Sequence, residues 1–264
     1  MSVVAAVVIV TLTGLLGAAI LVVAAQFMQV EEDERVSLVN EELPGVNCGA
    51  CGYAGCLDYA HAVVEAGASP NLCVPGGTRV AKRVAGILGV ESGAVAERKA
   101  LVVCQGSYGH ANSKYHYSGL DSCAANVVLH GGASSCPYGC LGYGDCARAC
   151  KFDAIEVDNG LARVNPIKCT GCGACEAACP KHLIWIREVS EKPVVMCVNR
   201  DRGSETRKEC TAGCIGCRQC EKICPVDAIK VQGNVARVDV DKCIGCRDCV
   251  NVCPVKAIAV PKVV

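Results

Sequence analysis

Cys243, Cys246, Cys249 and Cys253, followed by Pro254, form a C-x2-C-x2-C-x3-C-P run. Thiolates are soft ligands, and this spacing holds cubane [4Fe-4S] clusters. Three thiolates on one tight loop take three corners of a cube, and the fourth reaches a second cube, so such runs work in pairs. The partner run is Cys214, Cys217, Cys220 and Cys224, closed by Pro225. One cluster is therefore expected on Cys214, Cys217, Cys220 and Cys253, and another on Cys243, Cys246, Cys249 and Cys224. Structural zinc prefers two C-x2-C pairs across a spacer, which these proline-closed runs are not.

The same arrangement occurs once more upstream, at a constant offset of 74 residues. Cys146, Cys150, Cys169, Cys172, Cys175 and Cys179 map onto Cys220, Cys224, Cys243, Cys246, Cys249 and Cys253. Between the runs, Ala154–Val164 and Ala228–Val238 alternate apolar and polar residues around Asn159-Gly160 and Gly233-Asn234, a hairpin signal. Each copy should be a two-cluster, bacterial-ferredoxin-like unit: loop, short helix, hairpin, loop, short helix, strand. The first copy opens differently, as C-x3-C-x5-C-x3-C over Cys136, Cys140, Cys146 and Cys150, with Lys151 where proline is usual. Its clusters are expected on Cys136, Cys140, Cys146 and Cys179, and on Cys169, Cys172, Cys175 and Cys150.

A fifth set, Cys48, Cys51, Cys56 and Cys73, has the spacing C-x2-C-x4-C-x16-C within one compact stretch. Gly49, Gly52 and Gly55 let the backbone wrap close to a cluster and turn its amides inward. Spacing alone leaves zinc open here; the neighbouring ferredoxin runs favour a four-iron cluster. A helix with Leu57, Ala60, Val63 and Val64 on one face should end at Gly67, and another should run from Thr78 to Leu88 with Arg79, Lys82 and Arg83 in solvent.

Val3 to Ala25 are uncharged and mostly aliphatic, long enough to cross a bilayer once. A cleaved signal peptide would want a basic start and a shorter apolar core. Gly14, Gly17 and Ala18 would let another transmembrane helix approach. The expected architecture is α+β: transmembrane helix 1–29, linker 30–42, [4Fe-4S] module 43–90, and tandem 2[4Fe-4S] modules 91–190 and 191–264, with 91–99 read as linker.

Of the 24 cysteines, twenty are thus assigned to five clusters, and Cys104, Cys123, Cys197 and Cys210 remain. They are either buried inert thiols or ligands of a sixth cluster. Cys210 also competes with Cys217 as a ligand. Iron-bound thiolates need a reducing compartment, which places the bulk of the chain in the cytoplasm. The formal net charge is zero, but five oxidised cubanes with their thiolates bring it to about −10. That sum, and the lack of a basic tract, argue against a nucleic-acid partner. Arg200, Arg202, Arg207 and Lys208 form a short basic stretch, read either as a solvated face or as a dock for an acidic protein. No dinucleotide fingerprint, Walker loop or nucleophile set stands out.

The order of these parts resembles the B subunit of the Rnf complex, a membrane-bound, ion-translocating ferredoxin:NAD+ oxidoreductase. The resemblance covers nearly the whole chain: the N-terminal span, the Leu43–Cys73 module directly after it, and the two ferredoxin units. It implies a single-pass subunit of a bacterial or archaeal plasma membrane, its soluble part cytoplasmic. Reduced ferredoxin would supply electrons, to be relayed to integral-membrane and flavin-binding subunits, with no bond made by this chain. A membrane-anchored polyferredoxin serving another redox enzyme is the alternative.

Overall fold

A computed structural model describes residues 3–27 and 33–261. The last residues of the expected span (28–29), the first of the expected linker (30–32) and residues 262–264 lie outside it. Helix α1 (Val3–Phe27) carries no charged residue. Its Val7–Ala24 stretch has a mean hydropathy of 2.7 and none of it is buried against the rest of the protein. The hydroxyls of Thr11 and Thr13 donate back to the carbonyls of Val7 and Ile9. No polar group of theirs is then left bare on an apolar helix. By length and composition α1 is a candidate membrane span.

Most of the segment expected to be a linker is helical. In α2 (Glu34–Glu42), Asp33 caps the first turn by accepting from the Arg35 amide at 2.9 Å. Val36 and Val39, one turn apart, are fully buried. They pack with Leu43 against α3 (Cys56–Glu65) and α4 (Gly77–Leu88), meeting Tyr59, Ala60, Val63, Val80 and Val84. The α3 face differs from the expected one: Leu57 is exposed and Tyr59 buried. The tyrosine is amphipathic, and its hydroxyl donates to the Ser69 carbonyl at 2.7 Å, so a polar tip does not keep it out of the core. Helix α4 ends as expected at Gly89, in the left-handed region at φ +69°.

The remaining elements form two copies of one order. In the first, β1 (Arg98–Val102) begins inside the stretch 91–99 expected as linker. It is followed by α5 (Cys123–Val128), α6 (Asp145–Arg148), the hairpin β2 (Ile155–Asp158) and β3 (Leu161–Val164), α7 (Ala174–Ala178) and β4 (Ile184–Glu188). In the second come β5 (Val194–Val195), α8 (Gly203–Glu209), α9 (Gln219–Ile223), the hairpin β6 (Ile229–Gln232) and β7 (Val235–Val238), α10 (Asp248–Val252) and β8 (Ile258–Ala259). The opening strand of each copy pairs antiparallel with its closing strand: β1 with β4, β5 with β8. Sequence reading missed both opening strands. The hairpins match in register, Ile155 facing Val164 and Ile229 facing Val238. Both turn residues of each hairpin have positive φ, as a two-residue turn on twisted strands demands.

The aliphatic core of each copy is small. Val102, Ala154, Ile155, Leu161, Ala162 and Ile184 fill the first, and Val195, Ile229, Val235, Ala236, Ala257 and Ile258 the second. Cysteines lie within both, so bound metal would staple units that have little else to close them. The copies share a seam of Val103, Leu183 and Val194, with Met196 and Val198 against it.

Candidate iron–sulfur centres

Each four-cysteine run closes in the same way. Four residues after Cys150, Cys179, Cys224 and Cys253, the amides of Ala154, Leu183, Ala228 and Ala257 donate back to the sulfurs at 3.4, 3.5, 3.2 and 3.3 Å. The residue just before each donor (Asp153, His182, Asp227, Lys256) is left-handed, with φ between 48° and 54°. That twist turns the amide onto the sulfur. A neutral thiol is a weak acceptor, whereas a thiolate gains from each N–H aimed at it. The pattern survives at Cys150 although Lys151 replaces proline.

The loops before α6, α7, α9 and α10 share a second device. Gly142, Gly171, Gly216 and Gly245 are all left-handed, and so is the residue two positions on, Gly144, Gly173, Arg218 or Arg247. Three of these loops carry their middle cysteine between the two: Cys172, Cys217 and Cys246. The fourth carries Tyr143. The C-x5-C spacing from Cys140 to Cys146 is therefore an ordinary ferredoxin loop with one thiol missing.

The cysteines gather accordingly. Cys48, Cys51, Cys56 and Cys73 line one pocket. The Tyr59 hydroxyl, bonded to Ser69 and to the Leu72 amide, ties down the strap that brings in Cys73. The Cys56 amide donates to Asn47 Oδ1 at 2.7 Å. Burial, reinforced by the three neighbouring thiols, pushes Cys73 up to about 11. Cys150, Cys169, Cys172 and Cys175 line another, with the Ala100 amide donating to Cys169 at 3.3 Å. Cys214, Cys217 and Cys253 stand around Cys220, and Cys224, Cys243 and Cys246 around Cys249; burial raises both central thiols to about 11. The structure brings the thiols of these four expected sets near one another. Cys217, rather than Cys210, completes its group.

The fifth set differs. Cys140, Cys146 and Cys179 are joined around one pocket by Cys123, not by Cys136. Cys123 opens α5, far from the loop in sequence, and Asp145 holds it there. The Asp145 carboxylate accepts from Ser122 Oγ at 3.1 Å and from the Ala124 amide at 2.9 Å. Burial alone would raise this carboxyl, but these donors, the Cys123 amide and Arg148 hold it below the usual carboxylate range. Tyr143 stacks edge-on against Tyr117 at 5.4 Å, outside the thiol group. The signal for Cys123 in the sequence was slight: a cysteine after a helix-capping serine, mapping onto Cys197 in the repeat. Cys136 instead lines a pocket with Cys104, Cys197 and Cys210.

Arg200, Arg202, Arg207 and Lys208 are exposed on and beside α8. Asp201, Glu205 and Glu209 lie among them, and Lys208 pairs with Glu205 at 3.1 Å. The basic stretch is thus largely offset, which favours a solvated face over a dock.

Comparison with known proteins agrees with the cysteine pattern. Residues 43–75 match the family described as "Putative Fe-S cluster". Residues 168–228 and 213–257 match "4Fe-4S dicluster domain", the first match running from one copy into the next. The chain is 44% identical over 223 residues to the B subunit of the Na(+)-translocating ferredoxin:NAD(+) oxidoreductase complex of Acetobacterium woodii, covering 84% of this chain and 67% of that one. It is 41% identical over 234 residues to the B subunit of the proton-translocating ferredoxin:NAD(+) oxidoreductase complex of Clostridium ljungdahlii, covering 88% and 82%. The B subunit of the ion-translocating oxidoreductase complex of Methanosarcina acetivorans is 38% identical over 223 residues, covering 84% of each chain. With relatives this similar along most of its length, the chain belongs to the family of B subunits of ion-translocating oxidoreductase complexes.

Proposed function

We propose that the chain works as an iron–sulfur electron-transfer subunit of an ion-translocating ferredoxin:NAD+ oxidoreductase complex. Reduced ferredoxin is the electron donor, and the complex's integral-membrane and flavin-binding subunits are the acceptors. The observation that carries this reading is the recurrence of four-cysteine groups whose sulfurs receive backbone N–H donors. Five such groups, on Cys48, Cys51, Cys56 and Cys73; Cys123, Cys140, Cys146 and Cys179; Cys150, Cys169, Cys172 and Cys175; Cys214, Cys217, Cys220 and Cys253; and Cys224, Cys243, Cys246 and Cys249, suit [4Fe-4S] clusters.

Bound there, a [4Fe-4S] cluster supplies a one-electron carrier. The chain's own part is to hold thiolates and place amide dipoles where charge will rise. Zinc would need four ligand atoms about 2.3 Å from one centre. Among the described residues no three His, Cys, Asp or Glu side chains converge in that way. The grouped thiols line shared pockets, which suits a larger [4Fe-4S] core. Helix α1 anchors the chain in the plasma membrane, and thiolate chemistry puts the soluble part on the cytoplasmic side.

Reduction by reduced ferredoxin tests the reading. Anaerobically purified protein should be brown and lose absorbance near 400 nm when reduced ferredoxin is added. A colourless, zinc-loaded or disulfide-linked protein would overturn it.

A further inference from the structure

We propose that Cys104, Cys136, Cys197 and Cys210 bind a sixth [4Fe-4S] cluster at the seam between the two ferredoxin-like copies. The proposal rests on the iron–sulfur reading above and adds a site to it. The four thiols come from four separate segments: after β1, before the loop of Cys140, after β5 and at the end of α8. No sequence motif unites them. Cross-copy bonds do: the Asn112 amide donates to the Glu209 carbonyl at 3.2 Å, the Thr211 amide to the His110 carbonyl at 2.9 Å, and Ala111 bridges to Cys210. Cys136, Cys197 and Cys210 are buried and Cys104 is partly buried; none is disulfide-bonded.

What marks the site is the donors around it. The Gly106 amide donates to Cys104 Sγ at 3.4 Å. A Cβ on Gly106 would stand 3.5 Å from Cys210 Sγ and 3.6 Å from Cys104 Sγ, so the bare backbone passes against both sulfurs. Asn199, 1% exposed, donates its side-chain amide to Cys136 Sγ at 3.4 Å and to Glu209 at 3.1 Å. Backbone amides of Cys140, Tyr138, Cys214 and Ala212 point to Cys104, Cys136, Cys197 and Cys210 respectively. Inert buried thiols have little use for so many N–H groups; four thiolates sharing a core do.

The duplication accounts for the ligands. Cys136 and Cys210 are equivalent positions in the two copies, as are Cys123 and Cys197. In the first copy Cys123 replaces the thiol missing at Tyr143. In the second, Cys217 is present, which releases Cys197 to the seam. All 24 cysteines then fall into fours. Binding a [4Fe-4S]2+ core exchanges four S–H bonds for four Fe–S bonds and releases four protons to solvent. The site touches both neighbours through the Cys140 and Cys214 amides, so it lies between a group of one copy and a group of the other.

Iron and acid-labile sulfide, counted on the full-length anaerobic protein, test this. Six sites predict about 24 of each per chain, and five predict about 20. Cys197→Ser combined with Cys210→Ser should lose about four iron atoms and one cubane's share of the Mössbauer signal. A brown wild-type protein with about 20 iron atoms, with or without one zinc, overturns the sixth site and leaves the other five standing. So does a double variant that keeps the full wild-type count. If the variant fails to fold, the wild-type count alone decides. An iron-free protein would sink the broader reading as well, so the two failures are distinguishable.

Discussion

Tyr143 stands where Cys172, Cys217 and Cys246 stand in the other loops, and Cys123 arrives from another segment to replace the absent thiol. This exchange makes a sharp prediction. Cys123→Ser should cost about four iron atoms per chain. Adding Tyr143→Cys to that variant should restore them, because the loop already has the left-handed pair Gly142 and Gly144 that presents a middle cysteine. Iron counts on the single and double variants check it; full iron in the single variant would refute it. A second prediction concerns the amides that close each run. Lys256 holds φ +52° so that the Ala257 amide meets Cys253 at 3.3 Å. A β-branched residue resists that conformation, whereas glycine takes it freely. Lys256→Val should weaken the bond. An N–H donor favours the more negative, reduced cluster, so its loss should lower one potential, on the order of tens of mV. Lys256→Gly should leave that potential where it is. Potentiometric EPR reads both.

At the scale of elements, what was legible depended on whether the signal was local. The hairpins, α4 and four of the thiol groups follow from short motifs and their repetition. Helix α2 was hidden because only Val36 and Val39 mark its buried side amid Glu, Ser and Asn; its stability comes from α3 and α4, which a local reading cannot see. The opening strands were hidden because β1 and β5 exist only as partners of distant β4 and β8. Cys123 was missed for the same reason, since α5 approaches its loop through Asp145. Two predictions belong here. Val39→Asp places an unpaired carboxylate in the fully buried α2 seam, costing about 3 kcal/mol or more. Its effect should be confined to the first module: Cys48, Cys51, Cys56 and Cys73 lose their iron more readily to a chelator, and the other groups do not. In Gly216→Ala the new methyl would meet the Asn234 carbonyl oxygen at 2.8 Å on a backbone at φ +64°. A Cβ on the equivalent Gly142 would stand 2.6 Å from the Gly160 carbonyl oxygen, so both copies seat a cluster loop on a hairpin turn through a glycine. Strain and clash together should cost more than about 1 kcal/mol, seen as a lower denaturation midpoint of the holoprotein.

Over the whole molecule, the groups form a series by contact. Lys151, next to Cys150, donates to the Val46 carbonyl just before Cys48 at 2.6 Å, joining the first module to the first ferredoxin-like copy. Helices α6 and α7 carry thiols of both groups in that copy, α9 and α10 do the same in the second, and the seam of Cys104, Cys136, Cys197 and Cys210 lies between the copies. Helix α1 stands outside this series. None of its apolar stretch is buried against the rest, whereas α2 closes the first module's core with its own valines. Anchorage and metal binding should therefore separate cleanly at the junction before Asp33. A variant beginning at Asp33 is expected to keep the iron content and absorbance of the full chain and to move from the membrane fraction to the soluble one. A variant beginning at Leu43, which lacks α2 as well, should lose about four iron atoms, because Val36 and Val39 no longer cover Tyr59 and Val84. If the first variant also sheds iron, α1 stabilises the clusters and is more than a tether; if the second keeps all of its iron, α2 is dispensable and the core described for residues 33–88 is not what holds Cys73 in place.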